Sequence, residues 1–123
     1  MKRVLITGSR DWEDQAAIEK AIFEATRGVP ADEITVVHGA CPYGGADIIA
    51  AVVARENGMN VEAHPAEWKT HGKAAGPLRN QKMVDLGADV CLAFPAANSR
   101  GTWDCVRRAS EAGIQVRVFG GAA

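Results

Sequence analysis

Short unbroken apolar runs alternate along this chain with stretches in which apolar side chains recur every three or four positions. Val4-Leu5-Ile6 contains no polar residue and ends at Thr7-Gly8-Ser9, which predicts a strand buried on both faces, as in a parallel sheet. Asp14 to Thr26 follows, with Ile18 and Ile22 on one face and Arg27-Gly28 as its stop, and reads as a helix. The alternation then repeats. Further strands are expected at Ile34–Val37, Asn60–Ala63, Asp89–Phe94 and Gln115–Phe119, with the weakest pattern at Asn60–Ala63. A second helix is expected at Ala46–Glu56, with Ile49, Val52 and Val53 inward and Asn57-Gly58 closing it. A long loop runs from about His64 to Gly76. Pro77 then opens a third helix at its first position, where the missing N–H costs nothing, and this helix ends near Leu86-Gly87. Thr102 to Ala112 is the fourth helix, and Gly120 to Ala123 a loose tail.

Strands alternating with helices imply right-handed crossovers and a sheet covered on both faces. The expected fold is therefore α/β: one Rossmann-like domain over residues 1–123, with a five-stranded, mostly parallel sheet and helices on both faces. No internal repeat, low-complexity stretch or linker interrupts the pattern. In such sheets ligands bind beyond the carboxyl ends of the strands, where the strand order reverses. The loops at those ends are the places to look for chemistry.

Composition narrows the partners. The chain has 123 residues and a formal net charge of -1, so it lacks the excess of Lys and Arg that non-specific nucleic-acid binding needs. A local basic pocket is still compatible with that balance. Cys41, Cys91 and Cys105 are widely spaced, without CxxC, and read neither as a disulfide framework nor as a zinc knuckle. The apolar run after Met1-Lys2-Arg3 is too short for a signal peptide or a membrane span, so a cytosolic protein is expected. The small size favours a partner subunit, because small domains bury a smaller fraction of their surface.

The loop after the first strand is Thr7-Gly8-Ser9-Arg10-Asp11-Trp12. Gly8 permits a tight turn, Ser9 offers a hydroxyl, and Arg10 can clamp an anion bidentately. It is not GxGxxG, so NAD is not inferred. After the second strand come His38, Gly39, Ala40, Cys41, Pro42, Tyr43, Gly44 and Gly45, which lead into a helix and make backbone N–H groups available to an anion. No Gly-Lys-Ser/Thr follows, so this is not a P-loop. Asp47 falls in the first turn of that helix, where it either caps the dipole or accepts ribose hydroxyls. His38 and Cys41 are two metal-ligand types but fall short of a site; neither a metal nor a cofactor is expected.

The loop from Ala66 to Gly76 is long enough to be a lid, with Trp68 and His71 able to stack on a base and Lys69 and Lys73 able to meet phosphate. Arg79 is expected in the first turn of the third helix, near the positive end of the dipole, where a cation is disfavoured unless an anion joins it. Asn80 beside it can bond a phosphate or a sugar. Beyond the fourth strand, Ser99, Gly101 and Thr102 line a helix start suited to phosphate. Asp104 is expected in that first turn, either as a cap or facing a sugar.

Taken together, Gly8-Ser9-Arg10, His38-Gly39-Ala40-Cys41-Pro42 with Gly45-Ala46-Asp47, Gly76-Pro77-Leu78-Arg79-Asn80 with Met83, and Phe94-Pro95 with Ser99-Arg100-Gly101-Thr102 resemble the YspA-like proteins of bacteria and phages. These belong to the SLOG superfamily, named for SMF, DprA and the LOG phosphoribohydrolases. The resemblance covers nearly the whole chain. It implies a Rossmann-like domain that binds nucleotides or nucleotide-derived signals in the cytosol of a bacterium or a phage-infected cell. It implies a homo-oligomer, since LOG-like proteins are dimers. LOG enzymes carry an Arg-Lys pair and a Gly-Gly-x-Gly-Thr-x-x-Glu motif and cleave the N-glycosidic bond of nucleoside monophosphates. In that comparison Arg79 stands at the place of the arginine and Gly101-Thr102 at the place of Gly-Thr. Asn80 replaces the lysine, Cys105 occupies the glutamate position, and Asp104 is the displaced acid.

Three functions follow from these readings. The first is a sensor whose Gly8, Ser9, Arg10, His38, Gly39, Gly44, Gly45, Asn80, Ser99, Gly101 and Thr102 hold the ligand, with Asp47 and Asp104 at the ribose and Trp68 over the base. The second is a phosphoribohydrolase with Arg79 and Asp104 as its catalytic residues. The third is single-stranded DNA binding by analogy to DprA, which the near-neutral charge opposes.

Overall fold

In a computed structural model, which describes residues 1–120, the apolar runs become the strands of one sheet. They are β1 (Lys2–Gly8), β2 (Ile34–His38), β3 (Asn60–Ala63), β4 (Val90–Phe94) and β5 (Gln115–Val118). Of the predicted tail, Gly121, Ala122 and Ala123 lie outside the described residues. The strand order is β3-β2-β1-β4-β5, and every neighbouring pair is parallel. The expected α/β, Rossmann-like arrangement is present, with a sheet that is parallel throughout. All residues of β2 and β4 are buried, whereas the edge strands β3 and β5 expose both their ends. That exposure is why the β3 pattern is weak: an edge strand needs apolar residues at fewer positions.

Helices α1 (Gln15–Ala25) and α2 (Ala46–Glu56) cover one face. There Val4, Ile6, Val36 and Leu92 meet Ile18, Ile22, Ala50 and Val53 in one buried cluster. The α2 stripe runs through Ala46, Ala50, Val53 and Ala54, at helical spacing. Val52 falls outside that stripe and is 41% exposed, so it does not point inward as expected; Ile49 is partly buried and Val53 fully. The other face is covered by α4 (Ala75–Asp85) and α5 (Arg100–Glu111), where Leu5, Val37 and Cys91 meet Met83, Val84, Cys105 and Ala109. Each large side chain buried in these layers stabilises the fold by roughly 1.5–3 kcal/mol. Phe94 anchors the rim: it is fully buried, with Trp12 edge-on at 5.3 Å and Phe119 stacked at 5.2 Å.

Two helix starts differ from the expectation. The segment His64–Gly76 is not a plain loop, because it holds a short helix, α3 (Trp68–His71), and a 3-10 turn at Gly72–Ala74. With Ala74 and Ala75 favouring helix, α4 begins at Ala75 and Pro77 is its third residue. The N–H missing there belongs to a turn that has no intrahelical acceptor, so proline is tolerated. Arg79 consequently lies in the second turn. Similarly, α5 begins at Arg100, which puts Asp104 in the second turn, where the dipole no longer holds it.

The chain leaves β1 towards β2 and β3 on one side and reaches β4 and β5 on the other. The order therefore reverses between β1 and β4, and the loops after those two strands frame a crevice.

Candidate functional site

A cavity of about 360 Å³ opens at that reversal. Its first wall is the exit of β1. Gly8 is lined up against α2, and a side chain there would overlap the Ala46 methyl group, so its role is close strand–helix packing. Ser9 is buried; its Oγ accepts the Asp11 N–H at 2.9 Å, and its carbonyl accepts the Ala46 N–H at 3.0 Å. That last bond is possible because Gly45, at φ +79°, precedes the helix; a side chain on it would overlap the backbone of Ser9 and Arg10. Arg10 is exposed and lies over the Tyr43 ring at 5.5 Å.

The second wall joins the β2 exit to α4. A side chain on Gly39 would overlap the Arg79 guanidinium, so the glycine makes the space that Arg79 fills. Arg79 Nη1 donates to the Gly39 carbonyl and, at 3.4 Å, to the His64 carbonyl; Nε donates to Asn80 Oδ1 at 2.9 Å. Nη2 meets no acceptor among the described residues. Asp47 lies in the first turn of α2, as its position predicted, and is buried at the cavity floor. Burial pushes its pKa up to about 6, against the pull of Arg79 and of the Cys41 and Gly39 backbone amides.

The third wall is the start of α5. Ser99 Oγ accepts the Ala96 N–H at 2.8 Å and makes no cap bond to the helix. Among the described residues the N–H groups of Arg100, Gly101 and Thr102 meet no backbone acceptor, which leaves the positive end of the dipole open. Asn80 ties this wall to α4. Its Nδ2 donates to the Gly101 carbonyl at 3.2 Å and to Asp104 Oδ2 at 3.1 Å, so its amide is committed to the scaffold.

Of the residues singled out from the sequence, Gly8, Ser9, Arg10, Gly39, Asp47, Arg79, Asn80, Ser99, Gly101 and Thr102 line this one cavity. His38, Gly44, Gly45, Trp68 and Asp104 do not. His38 is 3% exposed, and its Nδ1 accepts the Ala40 N–H at 2.9 Å, holding that residue at φ +52°. Burial, with Arg55, His64 and Arg79 nearby, lowers the His38 pKa to about 4, so it stays neutral. Gly44 stands in open space at φ +92°. Trp68 lines a neighbouring hollow. Asp104 is held by Arg108 at 2.9 Å and Arg107 at 3.2 Å as well as by Asn80. Burial alone would raise its pKa, but these bonds outweigh it and hold the carboxyl below its usual value. The sequence pattern assigns no role to the side chains of Arg100 and Tyr43; Arg100 lines the cavity and Tyr43 the hollow beside it.

The mixture of a helix start, two exposed arginines, one inner arginine and a buried carboxyl suits a ligand with an anionic end and hydroxyl donors. Among the described residues no three His, Cys, Asp or Glu side chains are grouped as for a metal, and no helix is long and apolar enough to cross a membrane.

The model of the YspA, cpYpsA-related SLOG family (YAcAr) matches residues 2–71, more than half of the chain. The chain belongs to this SLOG family. It is also similar to the Gene 61 protein of Mycobacterium phage D29, 50% identical over 125 residues and covering 98% of each chain. SLOG membership points to a nucleotide-related function. The matched segment runs from β1 to α3, so it contributes Ser9, Arg10, Gly39 and Asp47 to the cavity, while Arg79 and the α5 start come from beyond it.

Proposed function

We propose that this SLOG-family chain binds a nucleotide or nucleotide-derived ligand at the carboxyl edge of its sheet and acts as a sensor or regulator. One observation carries the reading: the residues that start α5, whose N–H groups meet no backbone acceptor among the described residues, line one cavity at the strand-order reversal together with the buried Asp47 and with Arg79, whose Nη2 meets no acceptor among those residues. In this reading the phosphate sits on the N–H groups of Gly101 and Thr102, with Arg10 and Arg100 at the mouth. The sugar hydroxyls donate to Asp47, and Arg79 orients the sugar phosphate. Gly8, Ser9, Gly39 and Asn80 shape and stiffen the walls.

Glycosidic cleavage is not favoured, because Asp104 is tied to Arg107, Arg108 and Asn80 outside the cavity. The reading includes a single cytosolic domain assembled as a homodimer, checked by light scattering at tens of micromolar. Mass spectrometry of small molecules released on denaturing the purified protein, with titration calorimetry of nucleoside monophosphates, tests the ligand. A released or bound phosphorylated nucleoside is expected. No binding of any nucleoside phosphate, and none released, overturns the proposal.

A further inference from the structure

A second hollow, of about 420 Å³, adjoins the first and shares Arg10, Gly39, Cys41 and Arg79 with it. The character of the two differs. The first is lined by helix starts, hydroxyls and charges. The second adds Tyr43 and Pro42 from the β2–α2 loop and Trp68, Pro65 and Ala66 from the segment after β3. Both aromatic rings are open to solvent, Tyr43 at 75% and Trp68 at 54%. Single exposed aromatics are ordinary, but here two of them, one on the β2–α2 loop and one at the start of α3, border one hollow. Neither is loosely placed. Tyr43 lies under the Arg10 guanidinium at 5.5 Å, and the Trp68 indole lies over Gly76, where an added methyl group would touch it at 3.5 Å.

We infer that the Tyr43–Trp68 hollow is a stacking chamber for the base of a nucleotide whose phosphate occupies the adjoining cavity. This rests on the reading above and goes further, placing the base of that ligand against two named side chains outside the phosphate cavity. The continuity decides it: a ligand reaching from the α5 start past Arg79 enters a space lined by two aromatic side chains and a guanidinium, the groups on which bases stack. Arg79, which lines both spaces, stands where the sugar joins the two halves. A sugar phosphate alone fills only the polar half and leaves both rings in water.

The test compares adenosine 5′-monophosphate and uridine 5′-monophosphate with ribose 5-phosphate by calorimetry and tryptophan fluorescence, in the wild-type chain and in Trp68→Ala, Trp68→Phe and Tyr43→Ala. Both side chains are exposed, so these variants fold. At least one nucleotide is expected to bind about tenfold tighter than ribose 5-phosphate and to quench fluorescence in a Trp68-dependent way. The nucleotide-to-ribose-phosphate affinity ratio should collapse towards one in both alanine variants and recover in Trp68→Phe. Equal affinity for nucleotides and ribose 5-phosphate, or a ratio untouched by the alanine variants, overturns the chamber and leaves the phosphate site standing. Failure of all three probes to bind overturns the underlying reading, and the chamber with it.

Discussion

Arg3 and Arg79 sit at opposite ends of the same sheet and are treated in opposite ways. Near the start of β1, Arg3 gives Nη1 and Nη2 to the two oxygens of Glu62 at 3.0 and 2.8 Å, and Nε to the Gly87 carbonyl at 2.9 Å. The bond to Arg3, with a second from His64, holds the Glu62 carboxyl down to about 2. Beside the end of β1, Arg79 is held by carbonyls and an amide oxygen, and among the described residues no carboxylate reaches hydrogen-bond distance of it. A cation with its own bidentate carboxylate has its charge answered inside the fold. A cation hydrogen-bonded only to neutral acceptors, with the Asp47 carboxyl near it but not bonded to it, keeps donors free for a ligand. The region around Arg3 is closed by side chains, whereas the region around Arg79 is shaped by backbone approach through Gly39 and Gly45 and left open.

The largest effect is expected where backbones press together at the open end. Gly45→Ala places a methyl group into the Ser9–Arg10 backbone at a positive φ and should cost about 4 kcal/mol or more in urea denaturation. Gly44→Ala, also at positive φ but with nothing within 4 Å, should cost only about 1 kcal/mol. Equal costs at the two positions would mean that strain, not contact, governs this turn.

The arginines themselves give the next test. Arg79→Ala should weaken binding of a nucleoside monophosphate about 100-fold, or about 2.7 kcal/mol, while costing about 1 kcal/mol of stability. Arg3→Ala should do the reverse: about 2 kcal/mol of stability lost, because Glu62 is left half-buried without its partner, and affinity within about twofold of wild type. Calorimetry and denaturation on both variants decide it. A loss of affinity shared equally by the two would erase the contrast between the two ends.

Much of this frame is written locally. The runs at β1, β2 and β4 are apolar because both sheet faces are covered, α2 spans the expected Ala46–Glu56, and Asp14, expected as the first residue of α1, caps it from one position before. The spacing of Asp104, Arg107 and Arg108 also carried a readable signal, since three and four residues along a helix bring charges together. The reading of Asp104 as a first-turn residue hid it, and the extra turn residues at Arg100 and Gly101 reveal it. Arg79 is the opposite case. It was singled out for a conflict with the helix dipole, yet it sits one turn too far along for that conflict. It reaches the cavity because Gly39, forty positions away in sequence, has no side chain, a contact no local pattern encodes. Tyr43 and Trp68 escape pairing for the same reason, being on segments joined only through the folded sheet.

The smallest effect concerns protons and again separates the two ends. At the closed end, the Glu62 carboxyl is depressed, so its contribution is present above about 4.5 and is lost as pH falls towards 2. Glu62→Gln should therefore destabilise the protein at pH 8. At the open end, Asp47 is raised from 3.8 to about 6, so folding favours its protonated form; that contribution is complete below 3.8 and gone above about 6. His38, lowered from 6.5 to about 4 by burial, acts with the opposite sign, complete above 6.5 and lost towards 4. The two slopes oppose each other across nearly the same window, and this pair leaves wild-type stability almost flat between pH 4 and 6.5. Asp47→Asn removes one of them. Its stability should climb with pH across that window under His38 alone and exceed wild type at pH 8 by about 2 kcal/mol, while affinity for a nucleoside monophosphate falls about tenfold. Urea denaturation at stepped pH reads the first outcome and calorimetry the second. A carboxyl that weakens the fold at neutral pH and strengthens binding marks a residue kept for its ligand. An Asp47→Asn chain no more stable than wild type at pH 8 would place Asp47 with Glu62, as part of the scaffold.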